Sequence, residues 1–279
     1  MQEVFSRLEG SSASMFAGGT DILVVLRTGR KEASALVDAK DIPELNELSY
    51  NNQSGLTLGA AVPCYKIYED KLIPVAYQAL SDSASLIGGI QIQSRASIGG
   101  NLCNAAPSGD AIPSLIAHAA IAIIGGSNGT RELPVEEFCT GPGQNALQNG
   151  ECLISIKLPA PAKNSGSMYL RFIPRNEMDI AVAGSGVSVV LSDDKSSIVS
   201  ARVALASVAP TPLFVKEAGE FLAGKNISDD VIAEAGQIAK KAAKPITDMR
   251  GTIVQRKHLC DVLTRRALKG AIARAKEAN

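Results

Sequence analysis

Eight residues, Pro159-Ala160-Pro161-Ala162-Lys163-Asn164-Ser165-Gly166, divide this chain of 279 residues into two segments that read differently. Two prolines, a glycine and short polar side chains punctuate the chain without offering anything to bury, which marks a connection between folding units. Upstream, short β-like runs at 35–38, 56–60, 121–124 and 152–158 alternate with helical stretches. Residues 71–84 carry helical apolar spacing at Leu72, Val75, Ala76, Ala79 and Leu80, and 113–120 read as a second helix. Downstream the order changes. Strands are expected at 167–175, 181–191 and 198–208, with a turn at Ser192-Asp193-Asp194-Lys195, and helices at 213–222, 229–243 and 252–278. Strands followed by helices predict an α+β layer, a meander covered on one face. The expected units are 1–162 and 167–279.

Composition narrows the functional classes. Twenty-eight basic and 28 acidic residues cancel, so no global field recruits nucleic acid, and the absence of Trp with 4% aromatics leaves no base-stacking platform. The longest apolar stretch, 115–124, is interrupted by His118 and too short to span a bilayer. Met1-Gln2-Glu3-Val4 shows neither the basic region nor the apolar run of a signal peptide, so a cytoplasmic location is expected. Cys64, Cys103, Cys139, Cys152 and Cys260 are too far apart for zinc or iron–sulfur spacing, and only His118 and His258 could add ligands. Redox chemistry here would need an organic cofactor or a partner's metal. Residues 240–279 hold 11 Lys or Arg against 3 Asp or Glu, a solvated helix face or a docking surface for an acidic partner.

Two glycine-rich segments stand out. In Ala17-Gly18-Gly19-Thr20-Asp21, paired glycines let the backbone approach a ligand, and Thr20 or Asp21 can cap the next helix, whose N-terminus favours an anion. A tight turn with no ligand is the alternative. The second segment, 97–110, reads as a loop with a glycine pair, two amides, two hydroxyls and a carboxylate before a helix. That concentration suits donors for phosphate, with Asp110 accepting from a ribose hydroxyl; the alternative is a polar loop with Asp110 as a helix cap.

Ala17-Gly18-Gly19-Thr20-Asp21 together with Ser97-Ile98-Gly99-Gly100-Asn101 resembles the FAD-binding medium subunits of the xanthine dehydrogenase and carbon monoxide dehydrogenase family, the molybdenum hydroxylases. Three further segments agree in order: Phe138-Cys139-Thr140-Gly141-Pro142-Gly143 with Glu151 downstream, Arg175-Asn176-Glu177-Met178-Asp179-Ile180-Ala181, and Val208-Ala209-Pro210-Thr211-Pro212. The resemblance covers nearly the whole chain. It implies an α+β fold: a two-part FAD-binding domain of the vanillyl-alcohol oxidase (PCMH) type, split near residue 52, and a C-terminal domain of a three-stranded antiparallel sheet with helices. The chain departs from the pattern in a shortened opening and in Gln255, where many relatives carry Tyr. It has no cysteine-bearing insertion for an additional cluster.

By this resemblance, Met15, Phe16, Ala17, Gly18, Gly19, Thr20, Asp21 and Ile22 form the first diphosphate-binding stretch, and Ser97, Ile98, Gly99, Gly100 and Asn101 the second. Asn104 extends the network, Asp110 binds ribose or ribityl hydroxyls, and 58–60 pass near the flavin side of the cleft. Leu153 lies against an FAD ring, and Arg171 matches a basic position near the isoalloxazine. Read from the residues alone, Arg171 is equally a strand-edge arginine paired with a carboxylate, while Arg175 and Asp179 are expected to brace the domain junction, with direct flavin chemistry the alternative. The implied protein is an FAD-dependent oxidoreductase subunit that holds its FAD noncovalently. It would take electrons from a partner's [2Fe–2S] cluster and pass them to an acceptor, NAD among the candidates. Substrate would be oxidised on a molybdenum-pterin partner, so no catalytic or metal-ligating residue is assigned to this chain. An autonomous flavin oxidase of the vanillyl-alcohol oxidase type and a non-catalytic assembly protein are the alternatives.

Overall fold

The computed structural model describes residues 1–10 and 12–278. Before the Pro-rich connection the chain builds a five-stranded sheet in the order Leu48–Asn51, Gly55–Gly59, Cys152–Leu158, Ile121–Gly126, Gly129–Pro134, with every neighbouring pair antiparallel. The last of these strands in sequence takes the central place, and its residues are correspondingly buried apart from the half-buried Ile154 and the exposed Lys157. A bulge skips Ile154: Ile123 pairs with Ser155 and Ile124 with Leu153. Helices Gln78–Ala84 and Ala111–Ala117 cover one face, packing Leu80, Ile112, Leu115 and Ile116 with Leu56, Leu58, Ile124 and Ile156. A smaller unit pairs Ser14–Phe16 with Leu36–Asp38 in parallel through the crossover helix Ile22–Arg27. Helix Gln2–Leu8 packs Val4, Phe5 and Leu8 against Cys152.

Ser165 and Gly166, read from sequence as the end of the connection, already open a strand: Ser165–Phe172, Ala183–Leu191, Ile198–Ala206 and Leu213–Phe214 form an antiparallel meander. The strand period of two sorts its faces. Val187, Val189 and Leu191 join Cys260, Leu263, Leu268 and Ile272 of the long helix Ile253–Glu277 in a second core. The even-numbered Gly184, Gly186 and Ser188 face the other way. A Cβ at Gly186 would lie 2.7 Å from the Pro113 carbonyl, and Ser188 donates to Ala117 O at 2.6 Å. Helix Ala111–Ala117 can therefore lie directly on this strand. The result is sheet, helices, sheet, helices, with Gln78–Ala84 and Ala111–Ala117 shared between the two sheets. Ser228 caps helix Asp229–Ala242 and Thr252 caps Ile253–Glu277, each accepting from a backbone N–H at 3.2 Å.

Four other expectations change. Residues 97–110 are not one loop: Ile98–Asn104 is helical, because Ser97 caps it and Ile98 and Leu102, one turn apart, are buried. The helix expected over 71–84 is two, Ile73–Ala76 and Gln78–Ala84, broken at Tyr77, whose hydroxyl reaches in to donate to Pro159 O at 3.0 Å. The helix at 213–222 begins only at Lys216, and the residues before it supply the short fourth strand. The glycines at 125–126 extend a strand whose hairpin partner, Gly129–Pro134, has too little apolar pattern to be read beforehand. Among the described residues, no helix is long and apolar enough to cross a membrane.

Candidate cofactor site

The strand Ser14–Phe16 delivers Ala17-Gly18-Gly19 to the start of helix Ile22–Arg27. Gly19 takes φ +78, and a side chain there would strike the Phe16 ring at 2.6 Å. Met15 packs inward with Ile42 and Ile154, and Ile22 is half-buried. Asp21 stands at the helix N-terminus but its side chain makes no capping hydrogen bond, so that expected role is not filled. Gly18 lies directly on the backbone of Arg95 and Ala96, and Arg95 Nε donates to Gly18 O at 3.1 Å. The chain immediately before the second glycine segment is thus stitched to the first, across the 77 residues between Gly18 and Arg95.

On the second segment, Ser97 Oγ accepts from Gly100 N at 3.0 Å. The two glycines that follow differ. Gly99 is buried, and the space of its absent side chain is filled by the backbone of Ala60. Gly100 is exposed, and a Cβ there would meet only Ser97 Oγ, at 3.0 Å. Gly18 and Gly99 therefore serve close approach of chain to chain, while Gly100 leaves open the face that a ligand can use. Leu153 is 4% exposed, in the core beneath this corner, where Ala60 N donates to the neighbouring Ile154 O at 2.9 Å. Asn104 is exposed at the end of the helix. The Gly141-Pro142-Gly143 turn is tied there through Gly143 N to Ala105 O at 3.0 Å and Asn145 Nδ2 to Cys103 O at 2.7 Å.

From Asn101 the site continues to Asp110. Asn101 Oδ1 accepts from Ala111 N at 3.3 Å, folding the 105–110 segment back. Asp110 makes no capping bond; both its oxygens turn to the strand Ser165–Phe172. Oδ1 accepts from Tyr169 Oη at 2.7 Å and Oδ2 from Arg171 Nη1 at 2.6 Å. The side chains of Asp110 and Arg171 are 10% and 5% exposed. Burial lifts the Asp110 carboxyl above its ordinary value, while the Arg171 charge and the Tyr169 hydroxyl pull the other way. Burial, and then the charge of Asp110, push the Tyr169 phenol well up, so it stays a donor. Arg171 Nε is buried and has no hydrogen-bond partner. A buried donor left unmade is costly, which points to an acceptor that the chain does not itself supply.

Arg175 and Asp179 do not brace the junction: they pair at 3.2 Å within their own exposed turn, with Arg175 72% exposed. Bracing falls to Arg274, which grips Asp82 at 2.6 and 3.0 Å and Ser167 O at 2.6 Å. Sequence reasoning missed Arg95, Tyr169 and Gly184. For the last, a signal existed: Gly184-Ser185-Gly186 inside an apolar strand marks a close approach. A Cβ at Gly184 would sit 2.5 Å from Tyr169 Oη. Among the described residues, no group of His, Cys, Asp and Glu could hold a metal ion.

The site fits a dinucleotide with an extended diphosphate. An open glycine on a capped turn stands at one end, an exposed Asn104 beside it, and a buried guanidinium with an uncommitted donor at the other. Comparison with known proteins agrees. Residues 1–161 match the FAD binding domain in molybdopterin dehydrogenase, and 168–271 the CO dehydrogenase flavoprotein C-terminal domain. The chain is 29% identical over 269 residues to the xanthine dehydrogenase FAD-binding subunit of Escherichia coli O157:H7, covering 96% of this chain and 91% of that one. With the carbon monoxide dehydrogenase medium chain of Afipia carboxidovorans, identity is 29% over 268 residues, covering 96% and 91%. A chain of carbon monoxide dehydrogenase from Hydrogenophaga pseudoflava superposes with a TM-score of 0.92 at 28% identity, covering 98% of this chain and 94% of that chain. Both parts of the fold and the order of its motifs place this chain in the family of FAD-binding medium subunits of the molybdenum hydroxylases.

Proposed function

We propose that this chain is the FAD-carrying electron-transfer subunit of a molybdenum hydroxylase complex, standing between a partner's [2Fe–2S] cluster and the terminal acceptor. The observation that carries the reading is the continuous arrangement from the stitched glycine segments through Asn101 to the Asp110–Arg171 pair and its unmet donor. FAD, when bound, supplies exchange between one-electron and two-electron carriers. This chain's residues do the holding. Gly18, Gly19 and Thr20, with Ser97, Gly100 and Asn101, would hold the diphosphate, Asn104 and Asp110 its polar surroundings, and Arg171 a fixed positive charge that favours added negative charge on the cofactor.

The autonomous oxidase reading is not favoured, since the relatives named above are subunits of dehydrogenase complexes. Substrate oxidation then belongs to a molybdenum-pterin partner. The test is co-expression with candidate iron–sulfur and molybdenum subunits. A yellow assembly should form whose reduction of NAD, a quinone or dioxygen is lost when this chain is omitted. A colourless chain that takes up no FAD, or full substrate turnover by the isolated chain, would overturn the reading.

A further inference from the structure

The basic stretch near the C-terminus carries an exposed apolar surface. Ile246, Met249 and Val254 are 71%, 92% and 79% exposed, and Ile253 is 43% exposed. These large side chains, close together in the chain, join neither core, and apolar exposure so concentrated marks a surface that another molecule covers. The display is built rigidly. Asp248 and Gly251 close a turn through two backbone bonds of 3.1 and 3.3 Å, with Met249 and Arg250 at its tip. Ile253 N donates to Thr247 Oγ1 at 3.1 Å, which folds Ile246 back beside the first turn of helix Ile253–Glu277. Arg256 gives Nη2 to Asp248 Oδ1 at 2.7 Å and Nη1 to Val182 O and Ser207 O, both at 2.8 Å.

Those two carbonyls fix where the display stands. Arg171, Gly184 and Ala206 form one row across the second sheet. Val182 precedes strand Ala183–Leu191 and Ser207 follows Ile198–Ala206, so both lie just beyond that row. Val182 N donates to Phe172 O at 2.9 Å, and Ser207 N to Pro107 O, in the segment leading to Asp110, at 2.7 Å. The apolar surface therefore stands at the Arg171 end of the sheet. Its surroundings are basic: residues 240–258 hold six Lys or Arg against one acid, Asp248, which Arg256 already neutralises.

We propose that Ile246, Met249, Ile253 and Val254 form the docking face for the iron–sulfur subunit, whose matching surface has an apolar centre and an acidic rim. The inference rests on the electron-transfer reading above. Of the two partners which that reading requires, only the electron donor must approach the flavin, and this face stands at the cofactor end. Apolar contact supplies the adhesion, and opposite charge steers the encounter.

The test is the double variant Met249→Asp, Val254→Asp in the full chain. Neither side chain is buried, and an acid in the first turn of a helix favours it, so FAD content and unfolding temperature should stay at wild-type values. Binding to a co-expressed iron–sulfur subunit should weaken at least about tenfold, because an unpaired charge would have to be buried. Flavin reduction through that subunit should fall with it, while direct reduction by dithionite is unchanged. Lys244→Glu should slow association and flatten its dependence on salt. Undiminished binding of the iron–sulfur subunit by the double variant would overturn the inference. So would loss of only a molybdenum-subunit contact, or of only a dimer of this chain. A wild-type chain that binds FAD but no iron–sulfur subunit would instead overturn the reading beneath it, so the two failures are distinguishable.

Discussion

Arg95 closes on Gly18 twice: its Nε donates to the Gly18 carbonyl at 3.1 Å, and its own carbonyl fills the space that a side chain at position 18 would need. The neighbour is backbone and has nowhere to rotate. Gly18→Ala should therefore cost the apoprotein about 1–3 kcal/mol, as overpacking does, and FAD binding would fall with it. Gly99→Ala should behave alike against Ala60. Gly100→Ala is the informative contrast. In an exposed helical position it removes glycine's helix penalty of up to about 1 kcal/mol but brings a Cβ to 3.0 Å from the capping Ser97 Oγ, so apoprotein stability should change by less than about 1 kcal/mol while crowding of the open face weakens FAD binding. Thermal unfolding of the apoprotein and an FAD titration separate the two classes.

The Asp110–Arg171 pair makes a second case. Asp110→Ala leaves a buried guanidinium without its counter-charge and should destabilise the apoprotein by about 3–5 kcal/mol. Adding Arg171→Met removes the stranded charge. The double variant should recover most of the stability without recovering FAD affinity, measured by denaturant unfolding beside flavin binding. Single and double variants of equal stability would deny the pair its structural weight.

Much of this arrangement was legible beforehand, and the misses share a cause. The strand Cys152–Leu158 was legible because a run of five apolar residues in seven ended at Pro159 and Pro161. The helix Ile98–Asn104 was not, since Gly99 and Gly100 read locally as loop while the burial of Ile98 and Leu102 that holds it is a tertiary fact. Residues 71–84 had the right period, but the break at Tyr77 depends on a carbonyl 82 residues away. Asp110 was found by type and place, whereas its partners lie 59 and 61 residues downstream. Local pattern carries the elements; it does not carry which side chains meet between them.

Arg274 ties the last helix to helix Gln78–Ala84 through two hydrogen bonds to Asp82, and to the strand Ser165–Phe172 through one to Ser167 O. Arg274→Met keeps the aliphatic reach and removes those bonds. An expected loss of about 1.5–3 kcal/mol, the range for bonds to a charged group, should appear as a lower unfolding temperature with FAD affinity little changed.

His118 offers a test by pH alone. It ends helix Ala111–Ala117, sets its ring edge-on to Tyr77 with centroids 5.3 Å apart, and has Nε2 buried with no partner. Burial disfavours the charged ring and lowers its pKa from the ordinary 6.5 to about 4. The unfolded chain thus binds the proton more readily than the folded one. Stability from this group is fully present above pH 6.5, declines as pH falls below that value, and is exhausted near pH 4. The interval of about 2.5 pH units corresponds to about 3 kcal/mol. His118→Phe keeps the aromatic edge on Tyr77 and forfeits no bond at Nε2. Carboxylates titrate in the same range in both proteins, so the difference between them isolates the histidine. The gap in unfolding free energy between variant and wild type should widen in the variant's favour by about 3 kcal/mol from pH 7 to pH 4. A gap that stays constant across that range would mean that His118 charges within the fold.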